Sequence, residues 1–98
     1  MRVEFSHAAE NDLEQIGDFI AQDNPRRAYS FILELRSKCE ALVELAGSFP
    51  LVPRYERHGY RRRVHGNYLI FYRIDNDRVS IVRILNGAMD YAELLFAE

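Results

Sequence analysis

The sequence predicts an α+β domain: an N-terminal strand and an antiparallel helix hairpin packed on an antiparallel β-sheet meander, closed by a short C-terminal helix. Three observations predict it. Between Ala9 and Ala46 apolar residues recur at three- and four-residue steps in two stretches, the period of amphipathic helices. From Tyr60 to Asn86 three runs rich in β-branched and aromatic residues are separated by two short polar turns. Between these regions Phe49-Pro50-Leu51-Val52-Pro53 has no periodicity and two prolines, which marks a connecting loop.

In order, Met1–Phe5 is a strand with Val3 and Phe5 on one side. Ser6 is placed as a helix N-cap, its hydroxyl accepting from backbone N–H groups that lack a helical partner. Glu10 and Asp12 fall in the opening turns, where the helix dipole favours negative charge. Ala9, Leu13, Ile16 and Ile20 form the apolar stripe, with Phe19 flanking it. Asn24 caps a second helix and Pro25 suits its first position. Its stripe of Ala28, Phe31, Ile32, Leu35, Cys39, Leu42, Val43 and Ala46 predicts one continuous helix, stopped at Gly47.

In the meander, His65-Gly66-Asn67 and Asp75-Asn76-Asp77 supply residues that tolerate turn conformations. Tyr68, Ile70, Tyr72 and Ile74 share one face of the middle strand and Leu69, Phe71 and Arg73 the other. Both faces are largely apolar, which predicts a central strand covered on both sides. In the last strand, strict alternation places Arg83 and Leu85 on the face of Val79 and Ile81, so Arg83 stands as a charge inside an apolar run. Asn86-Gly87-Ala88-Met89 turns the chain away from the sheet, and Asp90 can cap a final helix over Tyr91–Phe96.

The totals narrow the function classes. A chain of 98 residues is expected to be a single domain over residues 1–98. The lone Cys39 excludes an internal disulfide and a cysteine metal cluster. It lies on the apolar stripe and reads as a buried structural thiol. There is no apolar run of membrane-spanning length and no basic-then-apolar N-terminus, so a cytoplasmic protein with no membrane partner is expected. His7, His58 and His65 lack metal-ligand spacing, and no glycine-rich phosphate loop is present, so no metal and no cofactor are expected.

Net charge is −2, yet Arg54, Arg57, Arg61, Arg62 and Arg63 crowd one segment beside His58 and His65. Such a patch points to an anionic partner at one face; it would also serve a solvated strand edge. Arg61 and Arg63 share a face, with Arg62 opposite. With Arg83 on a neighbouring strand and His65 at the turn, they form a candidate phosphate cradle. An acid–base enzyme built there would need His65 or a tyrosine as its base, because arginine keeps its proton.

The order of elements, together with Gly59-Tyr60-Arg61-Arg62, Gly66-Asn67-Tyr68-Leu69-Ile70-Phe71-Tyr72-Arg73 and Val82-Arg83-Ile84-Leu85-Asn86-Gly87-Ala88-Met89-Asp90, resembles the ParE/RelE superfamily of type II toxin–antitoxin toxins. The opening Ser6-x-x-Ala9-x-x-Asp12-Leu13-x-x-Ile16, followed by Asn24-Pro25-x-x-Ala28, is similar to the ParE branch. The resemblance covers nearly the whole chain and implies a RelE/ParE-like fold.

RelE-like members cut mRNA on the ribosome with basic strand residues and a C-terminal tyrosine. Arg61 and Arg63 resemble the first basic pair, but Leu69, Met89 and Leu95 stand where an arginine, an arginine and the tyrosine are expected. The resemblance therefore implies a ParE-type toxin with no catalytic residues, which inhibits growth by binding and poisoning DNA gyrase. It departs from that branch at Asn86, where histidine is common, and at Ala88-Met89, where an arginine is frequent. Arg61, Arg63, His65, Arg83, Asn86, Met89 and Asp90 are the residues expected to bind target or antitoxin. The implied partner is a ParD-like antitoxin whose amphipathic segment enters the groove between hairpin and sheet. No sequence-specific contact with nucleic acid is expected. A ribosome-dependent endonuclease using His65 is the alternative, and a weakly toxic antitoxin-binding relic is another.

Overall fold

The computed structural model describes residues 1–96. A strand β1 (Arg2–Phe5) leads into helices α1 (His7–Ala21) and α2 (Pro25–Glu40), followed by a short helix α3 (Leu42–Leu45). The strands β2 (Arg61–His65), β3 (Tyr68–Asp75) and β4 (Arg78–Asn86) form the meander, and α4 (Tyr91–Phe96) follows. The caps of α1 and α2 are those the sequence predicts. The Ala9 N–H donates to Ser6 Oγ at 3.0 Å, and the Arg27 N–H donates to Asn24 Oδ1 at 3.1 Å. Each satisfies a helix-end donor that has no partner within its own helix.

The sheet order is β1-β4-β3-β2. The meander is antiparallel, while β1 returns to pair in parallel with β4, Arg2 opposite Arg78 through Phe5 opposite Ile81. The chain between β1 and β4 crosses the sheet through the hairpin α1–α2 and returns through β2 and β3, which allows the parallel pairing. Gly66 and Asn76 hold positive φ in the two meander turns (59° and 50°), conformations open to glycine and tolerated by asparagine.

β3 is central and covered on both faces. Toward the helices, Ile70 and Tyr72 pack with Val79, Ile81 and Ile84 against Leu13, Ile16, Phe31, Leu35 and Leu42. On the outer face Leu69, Phe71, Leu85 and Val52 form a second cluster, covered by Tyr55, Tyr60, Tyr91, Leu95 and Phe96. The proline loop and α4 are thus the outer layer. Fully burying one such side chain contributes about 1.5–3 kcal/mol, so the outer layer matters to a domain of this size.

Two expectations are corrected. The second helix does not run to Ala46: α2 ends at Glu40, and α3 and a 3₁₀ turn (Ala46–Ser48) follow. Sheet side chains hold the backbone where the chain bends. Arg63 Nη1 donates to the Lys38 carbonyl at 3.1 Å and the buried Tyr72 hydroxyl donates to the Ala46 carbonyl at 2.5 Å. Second, alternation along β4 is broken. Phe71 pairs with Arg83 but Tyr72 pairs with Ile81, so Val82 is an extra residue. A bulge reverses the phase of the side chains beyond it. Ile84 therefore joins the helix-side core, and Arg83 and Leu85 leave the face of Val79 and Ile81.

Candidate functional site

β4 continues past the end of β1, so among the described residues its outer edge from Val82 to Asn86 has no neighbouring strand. Side chains from the start of the hairpin take the strand's place. Ser6 Oγ donates to the Val82 carbonyl at 2.7 Å. The Asp12 carboxylate accepts the Ile84 N–H at 2.9 Å. The same carboxylate takes Arg83 in a two-pronged contact, Nε to Oδ2 at 2.8 Å and Nη2 to Oδ1 at 2.9 Å. The Asp12 side chain is only 8% exposed and that of Arg83 24%. The fork geometry and charge make these hydrogen bonds stronger than neutral ones. Asp12 is the main reason that the Arg83 guanidinium holds its proton more tightly than usual; partial burial works against it.

Beside this pair lies a cleft of about 200 Å³ lined by Ile16, Phe19, Tyr68, Arg83, Asn86, Met89 and Leu94, among others. Its rim is unusually apolar for a surface: Phe19 is 66% exposed, Met89 45% and Leu94 48%. Exposed apolar side chains grouped at one cleft make it a candidate interaction site. Asn86 shapes the turn at its mouth. Its Oδ1 accepts the Ala88 N–H at 2.8 Å and its carbonyl accepts the Met89 N–H at 3.2 Å.

The residues expected at the site fall into three places. Arg83, Asn86 and Met89 line the cleft at the β4 end. Arg61, Arg63 and His65 lie along β2 on the helix face. Arg61 Nη1 donates to the Phe49 carbonyl at 2.7 Å, and the Arg63 guanidinium lies 4.7 Å from the centre of the Phe49 ring. His65 stacks on Phe31 with ring centres 5.3 Å apart, and its Nε2 is 3.0 Å from Glu34 Oε1. Hydrogen bonds from Arg27 and then His65 hold the Glu34 carboxyl below the ordinary carboxylate range. Asp90 lines a third cleft with Arg62 and Tyr91 on the outer face. Arg61 and Arg63 thus tie the sheet to α2 and the proline loop, and each guanidinium retains further donors.

Sequence reasoning missed Asp12 as a partner, reading it only as an acid suited to a helix start. The signal was present: Asp12 stands three residues after Ala9 and four before Ile16, inside the apolar stripe. A charge on a core stripe and a charge within a core strand called for each other. Arg62 and Tyr91 were also missed. Arg62 Nη1 donates to the Tyr91 hydroxyl at 2.9 Å. Nothing in the spacing of two residues so far apart announces that contact. Cys39 is buried, and burial is the main cause that pushes its thiol pKa up to about 12. Among the described residues no group of three or more metal-ligating side chains comes together, and no helix is long and apolar enough to cross a membrane.

The family model described as the ParE toxin of the type II toxin–antitoxin system parDE matches residues 3–91. Among solved structures, a chain described as "Chromosomal ParDE TA system from P. aeruginosa" is similar in fold. It is 19% identical, with a TM-score of 0.74, over 88% of this chain and 95% of that one. No curated protein matches.

Proposed function

Because this chain belongs to the ParE toxin family of type II toxin–antitoxin systems, we propose that it inhibits growth by binding and poisoning DNA gyrase, and that a ParD-like antitoxin neutralises it. One observation carries the choice of binding over catalysis. Arg61, Arg63 and Arg83 each reach a protein acceptor, while Phe19, Met89 and Leu94 stand exposed around the β4 cleft. A surface of this composition buries apolar area on docking, which is the main favourable term in protein association.

His65 would be the base of a nuclease. Its side chain is 19% exposed, stacked on Phe31 and paired with Glu34 on the helix face. Arg62 and Tyr91 lie on the other face of the sheet, so a proton shuttle would not face them.

An amphipathic antitoxin segment laid over the β4 cleft would cover Phe19, Met89 and Leu94 and place acidic residues toward the remaining donors of the neighbouring arginines. A supercoiling assay with purified gyrase tests the target: loss of supercoiling with accumulation of cleaved DNA is expected. Undiminished supercoiling at saturating protein would exclude gyrase. Phe19→Ser should weaken antitoxin binding by roughly tenfold, measured calorimetrically, if an aromatic anchor at this rim is worth about 1.4 kcal/mol or more.

A further inference from the structure

Charge is paired unevenly over this molecule. Arg2, Arg27, Arg36, Arg73, Arg78 and Arg83 each lie against a carboxylate. Among the described residues Arg26, Arg54, Arg57, Arg61, Arg62 and Arg63 have no carboxylate within ion-pair distance. Arg61 and Arg63 are engaged by the carbonyls of Phe49 and Lys38, whereas Arg54 and Arg62 line one open cleft of about 520 Å³ on the outer face of the sheet. Tyr91 lines it too and accepts from Arg62, which leaves its own O–H free to donate. Arg62 has spent one of its five donors on that contact.

The backbone of Arg54 adds an independent sign. It holds φ at 73°, a conformation that side-chain-bearing residues seldom adopt, and its side chain is exposed. Strain of this kind is found where a ligand clamp needs a side chain at a fixed place. Two guanidiniums, which only donate, and a phenol O–H lining one cleft are complementary to a tetrahedral oxyanion.

We infer that the outer-face cleft formed by Arg54, Arg62 and Tyr91 binds a phosphate group. Asp90 lines the same cleft and opposes an anion, so it limits affinity. This site is separate from the β4 cleft and does not depend on gyrase as the target. Free phosphate and a nucleic-acid phosphodiester share the required chemistry.

Two titrations of the whole protein at low salt tell these sources apart. Inorganic phosphate, followed by amide NMR, should shift resonances of Arg54, Arg62 and Tyr91. A labelled single-stranded oligothymidine, followed by anisotropy, should bind with a salt slope of about −1.4 to −2, as expected for two to three contacts on a single strand. The key variant is Arg54→Gly, which removes the guanidinium but keeps a residue at ease with positive φ, so the fold is retained. It should weaken oligonucleotide binding by about fivefold, the size of one exposed charge contact, and flatten the slope by about 0.7. Arg62→Gln should act in the same direction, and Asp90→Asn should tighten binding.

Response to phosphate alone assigns a free-phosphate site, and response to the oligonucleotide assigns a backbone site. The inference is overturned if neither ligand binds, or if Arg54→Gly and Arg62→Gln leave both titrations unchanged.

Discussion

Replacing Asp12 by alanine is the most informative single change to this fold. Asp12 accepts three hydrogen bonds, two from Arg83 and one from the Ile84 N–H. Alanine strands both donors. A buried N–H without an acceptor costs about 1–3 kcal/mol. Breaking a buried ion pair from one side costs about 3–5 kcal/mol, but Arg83 is 24% exposed, so water recovers part of that. The net expectation is a loss of about 3 kcal/mol, against a total stability of about 5–15 kcal/mol for such a domain. Urea unfolding followed by circular dichroism should show the midpoint fall by about 2 M, taking a slope of about 1.5 kcal/mol per molar.

The double variant Asp12→Ala with Arg83→Met should recover part of the loss, because it removes the stranded charge and leaves only the N–H unpaired. Its coupling to the single variants should exceed about 0.5 kcal/mol. A loss below about 1 kcal/mol for Asp12→Ala, or no coupling, would refute the view that this carboxylate stands in for a missing strand.

Other expectations follow from the same contacts. Tyr72→Phe leaves the Ala46 carbonyl without its hydroxyl donor and should cost about 1–2 kcal/mol, a fall of roughly 5–10 °C in Tm by calorimetry. Cys39, with its pKa near 12 and no exposure, should resist an aromatic disulfide reagent at pH 8 in the folded protein and react at once in denaturant. Glu34 titrates below its ordinary value because of Arg27 and then His65. Its contribution to stability is therefore complete above about pH 4.3, the unfolded value, and is lost as pH falls through the lower folded value. Carboxyl NMR of Arg27→Met should show the Glu34 midpoint move up toward the ordinary value; no movement would mean that the contact is not formed in solution.

Much of the architecture was legible because it rests on local rules. Ser6 and Asn24 are caps by their chemistry, and Gly66 and Asn76 sit at turns by theirs. The alternation of Tyr68–Asp75 required a strand covered on both faces, since no other arrangement buries both rows. The family resemblance was legible for a related reason: its motifs lie on these same turns and strands. The site was less so. Arg61 and Arg63 were correctly placed on one face of a strand, yet their destinations, the carbonyls of Phe49 and Lys38, depend on where another element passes.

The sequence by itself determined the elements, their caps and turns, and the central position of β3, because hydrophobic period and backbone chemistry act over a few residues. Tertiary structure alone decided three things: the parallel return of β1, the end of α2 at Glu40, and the bulge at Val82 that turned Arg83 away from its expected row. It also decided which charges meet. Asp12 and Arg83 are 71 residues apart in the chain, and Arg62 meets Tyr91 only because α4 folds back over the outer face. Spacing along α1 and β4 marks Asp12 and Arg83 as charges in apolar rows that need partners, but packing geometry decides that they meet each other, and nothing in the spacing marks Arg62 and Tyr91.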